Sequence, residues 1–257
     1  MIEKYLVKKI TEPVDWKVTV PGSKSMTNRA LLMAVLSAGT VRVEGVLFSD
    51  DSRHFLACLV ALGFTVEIEE EKKCVTVTGC GGRIPRGEAV IDVGSAGTAA
   101  RFLAAMLGFS DGCYEIRCSA QMKRRPMAEL FDLLSGAGAK ITFLEEEGHL
   151  PVRITGCRYA RADKTAGETP RELSLDITKS TQFLSALLLI APMVPEGMKI
   201  HITSEKTDGS YIRITRKMMQ EFGVSVAFDG RDYEVPCRSS YWNRICRLPA
   251  IFMRLRL

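Results

Sequence analysis

Three short stretches of the chain combine hydroxyls, glycines and cations in the way an anion site does. They are Pro21-Gly22-Ser23-Lys24-Ser25, Gly94-Ser95-Ala96-Gly97-Thr98 and Thr178-Lys179-Ser180-Thr181-Gln182. Each follows an alternating, strand-like run and precedes an apolar helical run, so each is read as the start of a helix. A helix N-terminus carries free backbone N–H groups and a partial positive charge, which attract phosphate or carboxylate. Taken singly, a hydroxyl there is most simply a cap. The cations change that reading. Lys24, Arg29 and Arg101 are placed in the first turns of their helices, where a positive charge opposes the dipole and weakens the fold unless a polyanion binds. The pattern is not a nucleotide-binding P-loop, because Ser23 separates Gly22 from Lys24. Lys123-Arg124-Arg125-Pro126 is read as opening a further helix, either as a solvated basic surface or as a second anion contact. Asp50-Asp51 is read as an N-cap pair; no other carboxylate cluster accompanies it to hold a metal.

The elements that must position these residues repeat. Thr-Gly-Cys at 78–80 recurs at 155–157, each time ending a short alternating strand, V-T-V-T-G and V-R-I-T-G. Ahead of each lies a helical run stopped by a glycine and followed by a strand: LVALG-FTVEI around Gly63 and LLSGAG-AKITF around Gly138. A third copy, KMMQEFG-VSVAF around Gly223, leads to the strand Tyr233–Val235. Each unit also opens on a strand (WKVTV, AVIDV, LSLDI), an apolar helix (RALLMAVL, RFLAAML, FLSALLLIA) and a second strand (VRVEGV, YEIRC, MKIHI). The expectation is one α/β domain over 14–236, made of three βαβαββ units near 14–80, 88–157 and 172–236.

Composition narrows the function classes. The 257 residues are 46% hydrophobic and 25% charged, which fits a globular core and excludes disorder. The net charge of +5 comes from residues 237–257, which hold five arginines and no Lys, Asp or Glu; residues 1–236 balance. A nucleic-acid partner is therefore not expected. The eight cysteines form no C-x-x-C pair and the three histidines are scattered, so no zinc site is expected, and the thiols are read as reduced and mostly buried. The longest apolar stretch, Phe183–Val194, is broken by Ser185 and Pro192 and falls short of the ~20 residues of a membrane span. With no signal-peptide core at the N-terminus, a cytoplasmic location without membrane partners is expected.

Taken together, P-G-S-K-S-x-x-x-R at 21–29, G-S-A-G-T-A-x-R at 94–101, R-R-P-M at 124–127 and K-S-T-Q-F at 179–183 resemble the 5-enolpyruvylshikimate-3-phosphate synthases, or 3-phosphoshikimate 1-carboxyvinyltransferases. The resemblance runs from about residue 14 to 235. It implies an enolpyruvyl transferase-like fold of two domains, each of three βαβαββ units, of which this chain carries the N-terminal type. It implies transfer of the carboxyvinyl group of phosphoenolpyruvate to the 5-hydroxyl of shikimate 3-phosphate, in the route to chorismate and the aromatic amino acids. Phosphate is released, and no metal or organic cofactor takes part. By the same resemblance, Lys24 contacts both substrates and transfers a proton, and Ser25 and Arg29 hold shikimate 3-phosphate, Arg29 at its carboxylate. Gly97 and Arg125 take phosphoenolpyruvate, Ser180 and Thr181 the shikimate phosphate, Gln182 lies between the substrates, and Tyr211 lines the shikimate pocket. Gly97 also implies inhibition by glyphosate.

The sequence departs from the family pattern in places. Ser95 stands where asparagine is common and Thr181 where serine is. The family's Ser-x-x-Tyr is stretched to S-E-K-T-D-G-S-Y, leaving Ser204, Thr207 and Ser210 all open as its serine. Beyond Val235 the resemblance stops, and the second domain, with its acidic proton-transfer residues, is missing. A two-base change of frame within the Tyr241 codon permits LESDMSAACYFYAAA, similar to the family's next segment. Residues 237–257 are accordingly expected to be a frameshift product, and 1–13 to pack on the second domain. Such a fragment is expected to be inactive alone and to self-associate through an exposed apolar face, where the family enzyme is monomeric. Two other functions are compatible: a non-catalytic half that binds shikimate 3-phosphate, and UDP-N-acetylglucosamine 1-carboxyvinyl transfer, against which the G-S-K-S pattern argues.

Overall fold

The computed structural model describes residues 21–157 and 170–236 and the backbone of 251–254. The expectations for 1–13, the strand WKVTV at 16–20, Cys237, Cys246 and the rest of the tail lie outside the described residues. Within them the chain alternates helix and strand as an α/β domain. Its elements run α1 (Lys24–Leu36), β1 (Thr40–Glu44), α2 (Asp50–Ala61), β2 (Thr65–Glu69) and β3 (Cys74–Thr78), then β4 (Glu88–Asp92), α3 (Gly97–Gly108), β5 (Cys113–Arg117), α4 (Ala120–Lys123), α5 (Ala128–Gly136), β6 (Lys140–Phe143) and β7 (Val152–Thr155). The last group is β8 (Arg171–Leu175), α6 (Thr181–Ile190), a 3-10 turn at Ala191–Met193, β9 (Met198–Ile202), α7 (Ser210–Glu221), β10 (Ala227–Phe228), β11 (Asp232–Val235) and β12 (Ile251–Arg254).

The strands form three sheets with one topology: β4-β5-β7-β6, β8-β9-β11-β10 and β12-β1-β3-β2. In each, the first pair is parallel and the next two are antiparallel. The parallel place beside β1, which the repeat assigns to 16–20, is held by Ile251–Arg254. One edge needs one partner for its free N–H and C=O groups, and any extended segment serves.

Sequence pattern decides what faces inward. The first helix of each unit is apolar nearly all round and almost wholly buried: Thr27–Leu36 in α1, Ala99–Gly108 in α3 and Phe183–Ile190 in α6. A helix without a polar face has to sit at a centre, and these three pack on one another there. α7 is amphipathic and buries only Ile212, Thr215, Met218 and Met219. The strands alternate, with Val41, Val43, Tyr114, Ile116, Ile200 and Ile202 inward and charged residues outward.

The repeat extends to single hydrogen bonds. The helix-stop glycines Gly63, Gly138 and Gly223 all have φ between +79° and +96°. The residue after each donates to a carbonyl five positions back: Phe64 to Leu59, Ala139 to Leu134 and Val224 to Met219. That closure leaves the terminal carbonyls satisfied and needs a residue free to take positive φ. The two Thr-Gly-Cys copies share a close approach. Gly79 N donates to Gly39 O and Gly156 N to Gly112 O, both at 2.9 Å. A Cβ on Gly79 would land on the Ser37 carbonyl oxygen and one on Gly156 on that of Ser110, closer than real Cβ atoms come.

Two expectations need correction. The third copy's strand VSVAF shortens to Ala227–Phe228. Of the six described cysteines only Cys58 and Cys74 are buried, because Cys80, Cys113, Cys118 and Cys157 lie at strand ends and edges. The large exposed apolar residues among those described are Val60, Ile68, Val90, Leu144 and Tyr211, on separate elements. Among the described residues no helix is long and apolar enough to cross a membrane, and no cluster of three or more potential ligands could hold a metal.

Two predictions follow from packing. Gly79→Ala and Gly156→Ala are each expected to cost roughly 1–3 kcal/mol by forcing backbones apart. Gly136→Ala, in a helix with open space around it, should instead gain roughly 0.5–1 kcal/mol; urea unfolding of the three variants compares them. Burial also pushes the Cys58 thiol and the Tyr114 phenol each up to about 12. Both values lie above those of an unfolded chain, so this stabilisation is complete below about pH 9 and is lost as pH rises toward 12. Urea midpoints should fall along that limb, and fall less in Cys58→Ala.

Candidate functional site

The three central helices bring their N-termini to one place. Arg29 in α1 donates from Nη2 to Ser185 in α6 at 3.2 Å, and its guanidinium carbon lies 5.2 Å from the Phe102 ring centre in α3. Arg101 in α3 lies 5.4 Å from the Phe183 ring centre in α6. All of these residues sit in the first two turns. Ser23 caps α1 and Ser180 caps α6, the latter accepting from Gln182 N at 3.2 Å; α3 has no side-chain cap, and none of the three has an acid in its first turn. Three positive helix ends therefore converge without the carboxylates that would ordinarily offset them.

The cations are held differently. Lys24 opens α1, with its side chain 48% exposed and Nζ 3.2 Å from Asp51 Oδ2. Asp50 and Asp51 do not form the N-cap: Ser49 does, in a reciprocal capping box with Ser52, which leaves Asp51 in the first turn of α2 facing Lys24. Because α1 starts at Lys24 and α3 at Gly97, Arg29 and Arg101 lie in second turns rather than first turns, and both are buried. Desolvation lowers the Arg29 guanidinium to about 10, partly countered by Tyr211. Arg101 is also lowered, first by burial and then by Arg125, with Glu129 acting in the other direction.

Arg101 and Arg125 converge on Gly97. Arg101 Nη1 donates to Gly97 O at 2.9 Å. A Cβ on Gly97 would stand 2.6 Å from Arg125 Nη1 and 2.8 Å from Arg101 Nη1. The cluster 123–126 does not open a helix: Lys123 ends α4, Arg124 is its C-cap and α5 begins at Ala128. Lys123 is occupied by Glu145 at 2.7 Å, so Arg125 alone reaches the glycine.

In the third unit Lys179 pairs with Glu129 at 2.6 Å, leaving Ser180, Thr181 and Gln182 half-buried at the start of α6. A Cβ on Gly209 would meet the Thr181 methyl at 3.6 Å, so this end abuts the start of α7. Tyr211, 53% exposed, has its ring centre 5.7 Å from the Arg29 guanidinium carbon. Ser204 is buried, accepting from Ile177 N and donating to Lys206 O. Thr207 accepts from the Tyr233 hydroxyl through its carbonyl, and Ser210 is exposed at the first position of α7.

Sequence reasoning missed Ser185 and Thr215, which grip Arg29, and Asp51 as the partner of Lys24. A serine inside an otherwise apolar helix was the available signal. Among the described residues, the buried side-chain polar atoms without a partner are Asn28 Nδ2 and Oδ1, Arg101 Nε and Arg216 Nε. Two of these three residues lie in the opening turns of α1 and α3. Unpaired buried polar groups are costly and rare, so their position marks a place for polar ligand or water.

The family model for EPSP synthase (3-phosphoshikimate 1-carboxyvinyltransferase) matches residues 8–237. A 3-phosphoshikimate 1-carboxyvinyltransferase of a Sulfurovum species is 42% identical over 214 residues, covering 83% of this chain and 48% of that protein. The enzyme of that name from Trichormus variabilis is 36% identical over 236 residues, covering 91% and 53%. The chain spans about half the length of the curated relatives it matches. Among solved structures, EPSP synthase from Acinetobacter baumannii superposes with a TM-score of 0.73 at 24% identity, covering 93% of this chain and 49% of that one. The enolpyruvyl transferase NikO from Streptomyces tendae gives 0.54 at 14%, covering 91% and 50%. At these identities the structures speak to fold alone.

If the converging helix ends form an anion site, inorganic phosphate at ten times its dissociation constant should add about 1.4 kcal/mol, or roughly 2–4 °C of Tm. Arg101→Met should raise stability in chloride, by removing a buried, half-satisfied cation, and should lose the phosphate increment. Melts at matched ionic strength test this; an equal phosphate response in both proteins would count against the site.

Proposed function

Because the chain belongs to the EPSP synthase (3-phosphoshikimate 1-carboxyvinyltransferase) family, we propose that the converging helix ends bind shikimate 3-phosphate and phosphoenolpyruvate. The observation that carries this reading is the meeting of Arg101 and Arg125 at Gly97, beside helix starts that have no acid of their own. Both substrates are polyanions, and fixed cations with backbone donors in a dry site suit them. In this reading Arg125, Arg101 and the α3 start take the phosphate and carboxylate of phosphoenolpyruvate. Gly97 leaves them room. Ser180 and Thr181 at the start of α6 take the shikimate phosphate, with Gln182 between the substrates. Ser25, Arg29 and Tyr211 take the shikimate ring and its carboxylate.

The reaction proposed for the whole protein is carboxyvinyl transfer. The 5-hydroxyl oxygen loses its proton to a base as it adds to the substituted vinyl carbon, and the methylene gains a proton, giving a tetrahedral intermediate. Loss of phosphate and of one methyl proton restores the double bond. Lys24 is within the site and half exposed, so it can reach both substrates and move a proton between them. No cofactor is called for in this scheme. The domain 14–236 is proposed as the N-terminal-type half of the enzyme, cytoplasmic, with residues 1–13 packing against the other half. A binding half without turnover is the reading favoured for these residues by themselves, since the matched span is about half of each relative.

Calorimetric titration with shikimate 3-phosphate, followed by a phosphate-release assay with phosphoenolpyruvate, tests the proposal. Binding is expected, and no binding at millimolar ligand would defeat it. A Cβ at position 97 meets only the flexible ends of two arginines. Gly97→Ala should therefore fold normally, bind shikimate 3-phosphate as before, and weaken phosphoenolpyruvate by about tenfold (about 1.4 kcal/mol). In an active full-length form it should also relieve inhibition by glyphosate.

A further inference from the structure

Arg29 is an unusual buried cation. Its residue is 1% exposed, yet every partner it has in the described residues is neutral. Nε donates to Thr215 Oγ1 at 2.7 Å, and Nη2 to Ser185 Oγ at 3.2 Å. Nη1 donates to Ser25 O at 3.0 Å and to Ser25 Oγ at 2.5 Å. The Thr215 hydroxyl donates in turn to Tyr211 O at 2.8 Å and stands 3.2 Å from Ser185 Oγ, so its lone pairs are aimed at the guanidinium. Thr215 and Ser185 are fully buried, one in α7 and one in α6.

Two edges of the guanidinium thus have different surroundings. The Nε edge is enclosed by two hydroxyls that cannot be reached from outside. The Nη1 edge faces Ser25, at the open start of α1. A carboxylate behind Arg29 would satisfy it better but would cancel its charge. Hydroxyls fix its orientation and leave the charge intact.

We propose that Thr215 and Ser185 are positioning residues for the reaction's organic acid substrate: they lock the Nε edge of Arg29 so that its Nη1 edge is presented to the substrate carboxylate, whose place the Ser25 hydroxyl holds in the free protein. This rests on the proposed function, in which Arg29 meets the carboxylate of shikimate 3-phosphate. On binding, the carboxylate takes over the Nη1 donors and Ser25 turns its hydroxyl toward the ligand. The Thr215 and Ser185 bonds persist throughout.

The test is calorimetric titration of the full 257-residue chain with shikimate 3-phosphate and with its methyl ester, which keeps the phosphate and ring but lacks the carboxylate charge. The unaltered chain should bind the acid more tightly than the ester. Thr215→Val and Ser185→Ala should weaken the acid roughly tenfold to a hundredfold, the range for hydrogen bonds to a charged group, and leave the ester unchanged. Thr215→Ser should restore the acid. Should Thr215→Val fail to fold, Ser185→Ala carries the same comparison. Equal losses for acid and ester would mean a merely structural role and would overturn the proposal, as would unchanged affinity for the acid or equal binding of both ligands by the unaltered chain. If the unaltered chain bound neither ligand, the proposed function would fall and this inference with it.

Discussion

Three apolar helices with nowhere to go but the centre set the terms for everything else in this domain. α1, α3 and α6 each lack a polar face, so each has to be wrapped by a sheet, and three copies of one unit accomplish that wrapping. The cost of the arrangement is electrostatic. Helices buried side by side in the same sense collect their positive ends at one place, where burial weakens the screening that water would give. Acids in the first turns would offset this, and α2 shows that the chain can supply them, with Asp50 and Asp51. The three central helices carry none. What they carry instead is Lys24, Arg29 and Arg101, which deepens the same imbalance.

Such a local conflict is the signature of a site rather than of a poorly made core. The details separate two kinds of cation within it. Arg29 has oxygen partners on all three nitrogens and serves as a fixed charge. Arg101 keeps an unpartnered Nε and feels Arg125 across Gly97. The first is oriented before any ligand arrives. The second keeps an unsatisfied donor, and with no side chain at Gly97 nothing separates it from Arg125.

The parts of this arrangement that the sequence made legible are those governed by neighbours in the chain. Helix-stop glycines, strand alternation and Ser23 or Ser180 at helix starts are local chemistry, and the repeat reported each of them more than once. The first turns of α1, α3 and α6 were readable for the same reason. What could not be read was set by the fold. Thr215 meets Arg29 across 186 positions and Ser185 across 156, and neither spacing carries a pattern. Asp51 looked like a cap because it stands next to a helix start, but Ser49 reached the free N–H groups first. The cluster at 123–126 looked like a helix opening because Pro126 so often begins one, whereas α4 had already claimed Lys123.

The same electrostatics limit what these residues can do alone. The proposed carboxyvinyl transfer needs a proton delivered to carbon and another removed from it, and a base that accepts a proton has to be free to do so. Several described carboxylates near the helix starts are engaged: Asp51 by Lys24, Glu129 by Lys179, and Asp92 and Asp176 by the backbone N–H groups of Gly94 and Thr178. Lys179 holds Glu129 below the ordinary carboxylate range, and the Thr178 side chain and then its backbone N–H do the same for Asp176, which makes them poorer bases still. Under the proposed function, the described residues are thus better suited to holding negative charge than to taking up a proton from carbon.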